Sequence, residues 1–383
     1  MKILLISEIF PPMVGGSGRW FWDIYSRLPR ENVVVVSGVA DTVAGVDESL
    51  ALRCYRLPLL SSKLEIFSLP GLINYVRLFR QLAEIVKNER ITSIHCGRGT
   101  PEGFLGCLLS KRFKVSYLCY IHGEELAIYR NCREYNLLAK IGYNNSKRII
   151  VNSFNTQREY VKYIPDYSGE ITVMHPGVDT TCFIPAEKYH DFLELHGWIN
   201  RKVMLTVGRL QKRKGHDHTI LAMKVIAQAI PDILYAIVGD GEEMSCLKAL
   251  VKEHHLEFYV QFLGKLDDSA MLSCYQQCDL FIMANREVDG DFEGFGIVFL
   301  EAQACGKPVI AGKSGGTAET MVVGETGLLV DGNDPEEIAK AVIQLFRDGT
   351  SLSVMGSKAR DWVISKFDWS VLMEHANTIF YKQ

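Results

Sequence analysis

Short, nearly continuous apolar runs rich in β-branched residues alternate with longer amphipathic stretches along this chain, and the pattern runs through twice. In the first half the runs are 2–7, 32–37, 93–96, 115–121, 148–152 and 171–175. Such runs read as strands buried on both faces of a parallel sheet. Helical spacing falls between them, as in 17–28, 72–89, 101–111 and 135–144. Alternation of this kind builds a doubly wound α/β domain. A connector follows over 179–200. The series then restarts at 203–207 and continues through 234–238, 260–263, 280–283, 308–311 and 327–330, with helical segments at 216–228, 242–254 and 335–347. A last helical segment covers 369–381. The expectation is an α/β protein of two Rossmann-like doubly wound domains, 1–186 and 187–365, facing a central cleft, with the C-terminal helix in 366–383 packing back toward the first domain.

Composition narrows the function classes. With 383 residues, 48% of them hydrophobic, the chain has enough apolar surface for two cores and is neither disordered nor fibrous. The net charge of −3 gives no overall basic field for nucleic acid. Residues 1–186 are mildly basic, with 22 Lys and Arg against 17 Asp and Glu, and the remainder is acidic, with 20 against 28. The 10 cysteines are scattered, and Cys274 and Cys278 have the wrong spacing for a zinc or redox pair. The opening MKILLIS reaches Glu8 and Pro11-Pro12 too soon for an export signal, and no run of 18 apolar residues occurs, so a cytoplasmic protein is expected.

Ligand chemistry in a doubly wound domain gathers in the loops at the carboxyl ends of the strands. The first such loop, Pro11 to Arg19, holds Gly15, Gly16 and Gly18, where backbone amides can approach a ligand. A dinucleotide fingerprint would need glycine at Phe21, which argues against a nicotinamide oxidoreductase. Gly312-Lys313-Ser314 ends like a phosphate-binding loop, but position 307, where its first glycine belongs, is Lys307. The loop Gly208 to Gly215 carries Arg209, Lys212, Arg213 and Lys214 after a strand and before a helix, a placement that suits a diphosphate. Glu293-Gly294-Phe295-Gly296 turns into an apolar helix bearing Glu301, a carboxylate able to take both hydroxyls of a ribose. Free amides at Gly296 and Ile297 can meet ligand oxygens. His216 and His218 are placed to cap the helix after the basic loop. Asp289-Gly290-Asp291 matches a metal-binding DxD pattern, although the neighbouring cations make a metal role the lesser reading.

In this order and spacing the motifs resemble a retaining glycosyltransferase of the GT-B fold, in the large family 4 group. The likeness covers essentially the whole chain. It rests on the glycine loop after the first strand, Glu293 with Glu301 eight residues on, Gly208-Arg209 with Lys214-Gly215, and Val238-Gly239-Asp240-Gly241. His175-Pro176-Gly177-Val178-Asp179 and Ser314-Gly315-Gly316 also fit, although Pro176 stands where the family usually has Asn. The stretch from Glu293 to Gly316 is most similar to mannosyltransferases that use GDP-mannose and act on phosphatidylinositol mannosides.

The resemblance implies roles. Arg209 and Lys214 would hold the donor diphosphate. Glu301 would bind the ribose, and Glu293 with the amides of Phe295, Gly296 and Ile297 the donor sugar. Gly16 would approach the diphosphate, Gly239 and Asp240 would border the donor, Lys265 and Leu266 would line the base, and His122 would stand near the transferred sugar. Transfer of a hexose from a nucleotide-sugar donor to a glycan or lipid-linked acceptor follows, with no cofactor, no metal and front-face attack. A UDP-sugar donor and a sugar-binding protein without catalysis remain alternatives. The helical stretch 72–89, with Arg77, Arg80 and Lys87 between apolar residues, offers a peripheral membrane contact.

Overall fold

The computed structural model describes residues 1–13, 15–39, 52–59, 67–347 and 349–381. Two compact units account for them: Met1–Pro176 together with Leu372–Gln383, and Gly177–Val371. The division falls at Pro176 rather than at 186 because residues 178–183 bond within the second unit. The Val178 amide donates to the Phe367 carbonyl at 2.9 Å, the Thr180 hydroxyl to Asp368 at 2.5 Å, and Arg360 to the Phe183 carbonyl at 3.0 Å.

Unit 1 is built on a seven-stranded parallel sheet: β1 (Ile3–Ser7), β2 (Val33–Ser37), β3 (Arg53–Arg56), β4 (Ser93–Cys96), β5 (Ser116–Ile121), β6 (Arg148–Val151) and β7 (Glu170–Val173), in the order β3-β2-β1-β4-β5-β6-β7. Its helices are α1 (Gly16–Tyr25), α2 (Leu69–Asn88), α3 (Phe104–Phe113), α4 (Glu124–Asn131), α5 (Arg133–Asn144) and α6 (Phe154–Tyr163). The all-buried VVVVS of β2 and ILLIS of β1 are what a sheet covered on both sides requires. On one face, Leu4, Ile6, Val34 and Val36 pack with Leu78, Leu82 and Ile85 of α2 and Leu105 of α3. Each such side chain taken fully from water contributes about 1.5–3 kcal/mol. α2 begins at Ser68, whose hydroxyl accepts the Gly71 amide at 3.1 Å. β3 is the strand that the apolar pattern does not mark. Its RCYR is exposed or half-buried because it lies at one edge of the sheet.

Unit 2 holds a six-stranded parallel sheet: β8 (Lys202–Val207), β9 (Ile233–Val238), β10 (Val260–Gly264), β11 (Leu280–Met283), β12 (Val309–Gly312) and β13 (Gly327–Val330), in the order β10-β9-β8-β11-β12-β13. Its helices are α7 (His190–Leu195), α8 (His216–Ala229), α9 (Met244–Glu253), α10 (Asp268–Gln277), α11 (Ile297–Ala304), α12 (Pro335–Arg347) and α13 (Gly349–Phe367). Strand alternation sorts the core into two layers. Ile233, Tyr235 and Ile237 of β9 join one with Ile220 and Met223 of α8. Leu234, Ala236 and Val238 join the other with Phe299 and Leu300 of α11.

The last helix, α14 (Trp369–Tyr381), is counted with unit 1 from Leu372 onward. There Arg148 donates to the Ile379 carbonyl at 2.5 Å, and the Phe380 ring stacks on Tyr25 with centroids 5.9 Å apart. Among the described residues, no helix is long and apolar enough to cross a membrane.

Candidate active site

Both sheets reverse their strand order once, and that fixes where a ligand crevice opens. In unit 1 the reversal lies between β1 and β4, and in unit 2 between β8 and β11. The loops leaving these strands carry most of the residues singled out from the sequence.

In unit 2 the β8–α8 loop passes through the short turn Lys212–Lys214 and ends at Gly215, the N-cap of α8. The β11–α11 loop brings Asp291 and Glu293 against it. Arg213 donates to Glu293 Oε2 at 2.9 Å, its Nε lies 3.0 Å from Asp291 Oδ2, and the Lys214 ammonium bonds the same Glu293 oxygen. Burial alone would raise the Glu293 carboxyl, but the charges of Lys214 and Arg213 outweigh it and hold the group below its usual range. Beneath the loop, buried Arg286 forms a two-point pair with Asp217 at 2.8 and 2.7 Å. The Arg286 amide donates to the Arg213 carbonyl at 2.8 Å. The basic loop is therefore held from below by an ion pair that its own sequence does not reveal.

The DxD pattern resolves into a turn. Asp289 and Gly290 have φ of 52° and 79°, and Val288 and Asp291 exchange backbone hydrogen bonds of 3.0 and 2.9 Å. Positive φ at both central residues is the two-residue hairpin geometry that Asp-Gly favours. It presents the Asp291 carboxylate to Arg213. Among the described residues, no group of three or more potential metal-ligating side chains comes together.

Arg209 is exposed, whereas Glu301 is buried and accepts the Tyr275 hydroxyl at 2.7 Å. Phe295 is buried, and Gly296 caps α11 with φ of 95° ahead of Ile297. Gly239 has φ of 135°, and a Cβ there would lie 1.9 Å from the Gly208 carbonyl oxygen, so this position admits only glycine. Asp240 and Lys265 are exposed and 3.8 Å apart, with Leu266 half-buried beside them in sequence. His216 and His218 do not cap α8. His216 is buried against the Tyr235 hydroxyl at 3.3 Å, and His218 meets the Gly332 carbonyl at 2.9 Å, because Gly215 already starts the helix.

Unit 1 holds the other two residues. Gly16 is exposed at the start of α1, and a Cβ there would meet open space; Val14 of the same loop lies outside the described residues. His122 follows β5 and is buried between Trp20 and Phe21, with both ring centroids at 5.4 Å. Its Nε2 pairs with the Gly97 carbonyl at 3.1 Å. Burial first, and the Arg98 charge second, lower its pKa to about 4, so the ring is neutral at physiological pH. Arg98 after β4 faces Glu8 at 3.8 Å and Glu124 at 3.4 Å. Buried Glu102 and Glu125 complete this group, each pushed up to about 7, chiefly by burial. Glu102 accepts the Glu8 amide and Glu125 the His122 amide, both at 2.9 Å. Sequence reasoning gave Arg98 and Glu102 no place. Their signal is position alone, in the loop beyond β4 at the strand-order reversal.

Comparison with known proteins agrees over the full chain. The family described as Glycosyltransferase Family 4 matches residues 14–181, and that described as Glycosyl transferases group 1 matches 196–362. A GDP-mannose-dependent alpha-(1-6)-phosphatidylinositol monomannoside mannosyltransferase of Mycolicibacterium smegmatis is 30% identical across 96% of this chain and 95% of its own. The corresponding monoacylated-acceptor mannosyltransferase of Corynebacterium glutamicum is 29% identical over 100% of this chain and 98% of its own. Among solved structures, Anabaena HepE in complex with UDP superposes with a TM-score of 0.82 at 21% identity, covering 100% of both chains. Sucrose-phosphate synthase from Thermosynechococcus elongatus gives 0.83 at 20% identity, covering 100% of this chain and 99% of that one. With its two parallel-sheet Rossmann-like domains, the chain belongs to the family 4, group 1 glycosyltransferases of GT-B fold.

Proposed function

We propose that the enzyme transfers mannose from GDP-mannose to a lipid- or polysaccharide-linked acceptor with retention of anomeric configuration and without a metal. The observation that carries this reading is the similarity, at 29–30% identity over nearly the whole chain, to mannosyltransferases named for that donor. In unit 2, Arg209 and Lys214 hold the diphosphate, Glu301 the ribose, Glu293 with the amides of Phe295, Gly296 and Ile297 the mannosyl hydroxyls, and Gly239, Asp240, Lys265 and Leu266 the nucleoside. In unit 1, Gly16 and His122 serve the reacting sugar and phosphate. His122 does so as a neutral hydrogen-bonding group, in keeping with its lowered pKa.

The chemistry is displacement on one face of the sugar. The acceptor oxygen bonds to the anomeric carbon, the bond from that carbon to the phosphate oxygen breaks, and the acceptor proton passes to the departing phosphate. Charge builds on the diphosphate as it leaves, and fixed cations stabilise it there. Arg213's hold on Asp291 favours a metal-free reading of the DxD segment, since that carboxylate already has a cation.

A lipid-linked acceptor needs a membrane surface. The start of α2 offers one, with Leu69, Leu72, Ile73 and Val76 exposed and Arg77 and Arg80 following them. An apolar tip beside cations suits an anionic bilayer. Vesicles containing anionic lipid should retain the enzyme, and Ile73→Asp should release it. Equal retention by purely zwitterionic vesicles would remove this part of the reading.

The donor assignment is tested by thermal shift with GDP, UDP, ADP and NAD at equal excess. A ligand at 100 times its Kd adds about 2.7 kcal/mol. Selective stabilisation by GDP, and mannose transfer undiminished by EDTA, are expected. Stabilisation by UDP alone would change the sugar, and loss of transfer in EDTA would restore a metal.

A further inference from the structure

Two cations share one carboxylate oxygen in unit 2, and they are held very differently. Arg213 is fixed at both ends: its carbonyl accepts the Arg286 amide, and its guanidinium spans Asp291 and Glu293. Asp291 is itself set by the hairpin turn at Asp289-Gly290. Lys214 reaches Glu293 through a flexible stem ending in a compact charge. The side chains of Arg213, Lys214 and Glu293 are only 11–12% exposed, so a Glu293 carboxylate left alone here would be a buried, uncompensated charge.

We propose that Arg213 is a positioning residue of the donor site: by holding Glu293 permanently, it leaves Lys214 free to exchange that carboxylate for the donor diphosphate. This rests on the donor-site reading above. In the absence of donor, Lys214 neutralises Glu293 together with Arg213. When a diphosphate arrives, Lys214 turns to it and Glu293 stays paired. Without Arg213 the same movement would strand the carboxylate, so Lys214 would remain on Glu293 and nucleotide binding would weaken, although Arg213 itself touches no nucleotide. Its guanidinium is already committed to two carboxylates, which sets it apart from Arg209, an exposed cation of the same loop.

Isothermal titration of the full chain with GDP and with UDP separates the possibilities. Arg213→Ala is expected to weaken the preferred nucleotide about tenfold, and Arg213→Lys to recover most of that loss. The deciding comparison is the Glu293→Gln background, where the Glu293 carboxylate no longer holds Lys214. There Arg213→Ala should change affinity less than twofold. A tenfold loss in both backgrounds would mean that Arg213 contacts the diphosphate directly, and would overturn the proposal. An unchanged affinity of Arg213→Ala in the wild-type background would overturn it as well. If Arg213→Ala fails to fold, Arg213→Gln takes its place in the same cycle. Should Lys214→Ala bind nucleotide as well as the wild type does, the donor-site reading itself falls and the role of Arg213 with it.

Discussion

The two units use one strand order to opposite electrostatic ends. At the β8/β11 reversal of unit 2, cations sit against ionised carboxylates, and Glu293 and Asp217 are both held below the usual carboxylate range. Along β4 and beyond β4 and β5 of unit 1, burial drives groups to their neutral forms: Glu102 and Glu125 rise to about 7, while His95 and His122 fall to about 3 and about 4. The fold supplies the crevice in each case, and the loop residues decide what it suits. Unit 2 keeps Arg213 and Lys214 ion-paired to Glu293 and Asp291 at its reversal. Unit 1 sets the Arg98 guanidinium among carboxylates, near Glu8 and Glu124.

The comparison breaks most readily at Lys214. Lys214→Ala should lower turnover about a hundredfold or more, the usual size for a removed charge-stabilising donor. Turnover near wild type would leave unit 2 without the electrostatic role assigned to it. Next in size is Arg286→Ala, which strands Asp217 and unfastens the loop. A loss of about 3 kcal/mol in stability is expected from breaking a largely buried pair. Burial alone would raise the Asp217 carboxyl, and its bonds to Arg286 outweigh that. The folded pKa is therefore the lower one, and the stabilisation is present above the unfolded value and lost as pH falls through the folded value. Chemical denaturation at pH 7 and pH 3 should show the gap between variant and wild type closing in acid; a gap independent of pH would locate the loss elsewhere.

These two positions also show what a linear chain reveals. The strands were readable because burial on both faces demands continuous β-branched runs, as in β2 and β8. β3 was not, since an edge strand needs no such run. The basic loop and the Glu293 turn were readable because glycine and charge cluster within a few residues. That Arg213 belongs to Glu293 and Asp291 was not, because they are some eighty residues apart and meet only through the pairing of β8 with β11. Arg286 was missed for the same reason, and Arg98 with Glu102 because a lone charge after a strand has no local pattern.

A sharper contrast lies in pH dependence. For Glu102 and Glu125 the folded pKa is raised. Their stabilisation is complete below about pH 4.5 and declines as pH rises through about 7. His95 acts oppositely between about pH 3 and 6.5 and His122 between about pH 4 and 6.5, since the unfolded rings take up protons that the buried ones refuse. In unit 2, His216 alone among these buried groups follows the histidine direction. Glu125→Gln, which keeps the acceptor for the His122 amide, should therefore stabilise unit 1 at pH 8 relative to pH 5 by about 2 kcal/mol. Hydrogen exchange of the β4 and β5 amides measures it, and identical profiles for variant and wild type would remove the buried-acid account.

The smallest expected effect tests whether the donor edge is uniform. Lys265 is 80% exposed at the side chain and 3.8 Å from Asp240, itself half exposed. Such a pair is screened and orders two solvated side chains, so it contributes at most a few tenths of a kcal/mol. Lys265→Ala should leave the unfolding midpoint unchanged. If Lys265 only lines the nucleoside, donor KM should rise at most about threefold with kcat untouched, because a contact made equally in ground and transition states alters KM alone. A fall in kcat comparable to that of Lys214→Ala would mean that positive charge acts collectively across this edge. The ion-paired loop would then no longer be where unit 2 concentrates its effect on the leaving group.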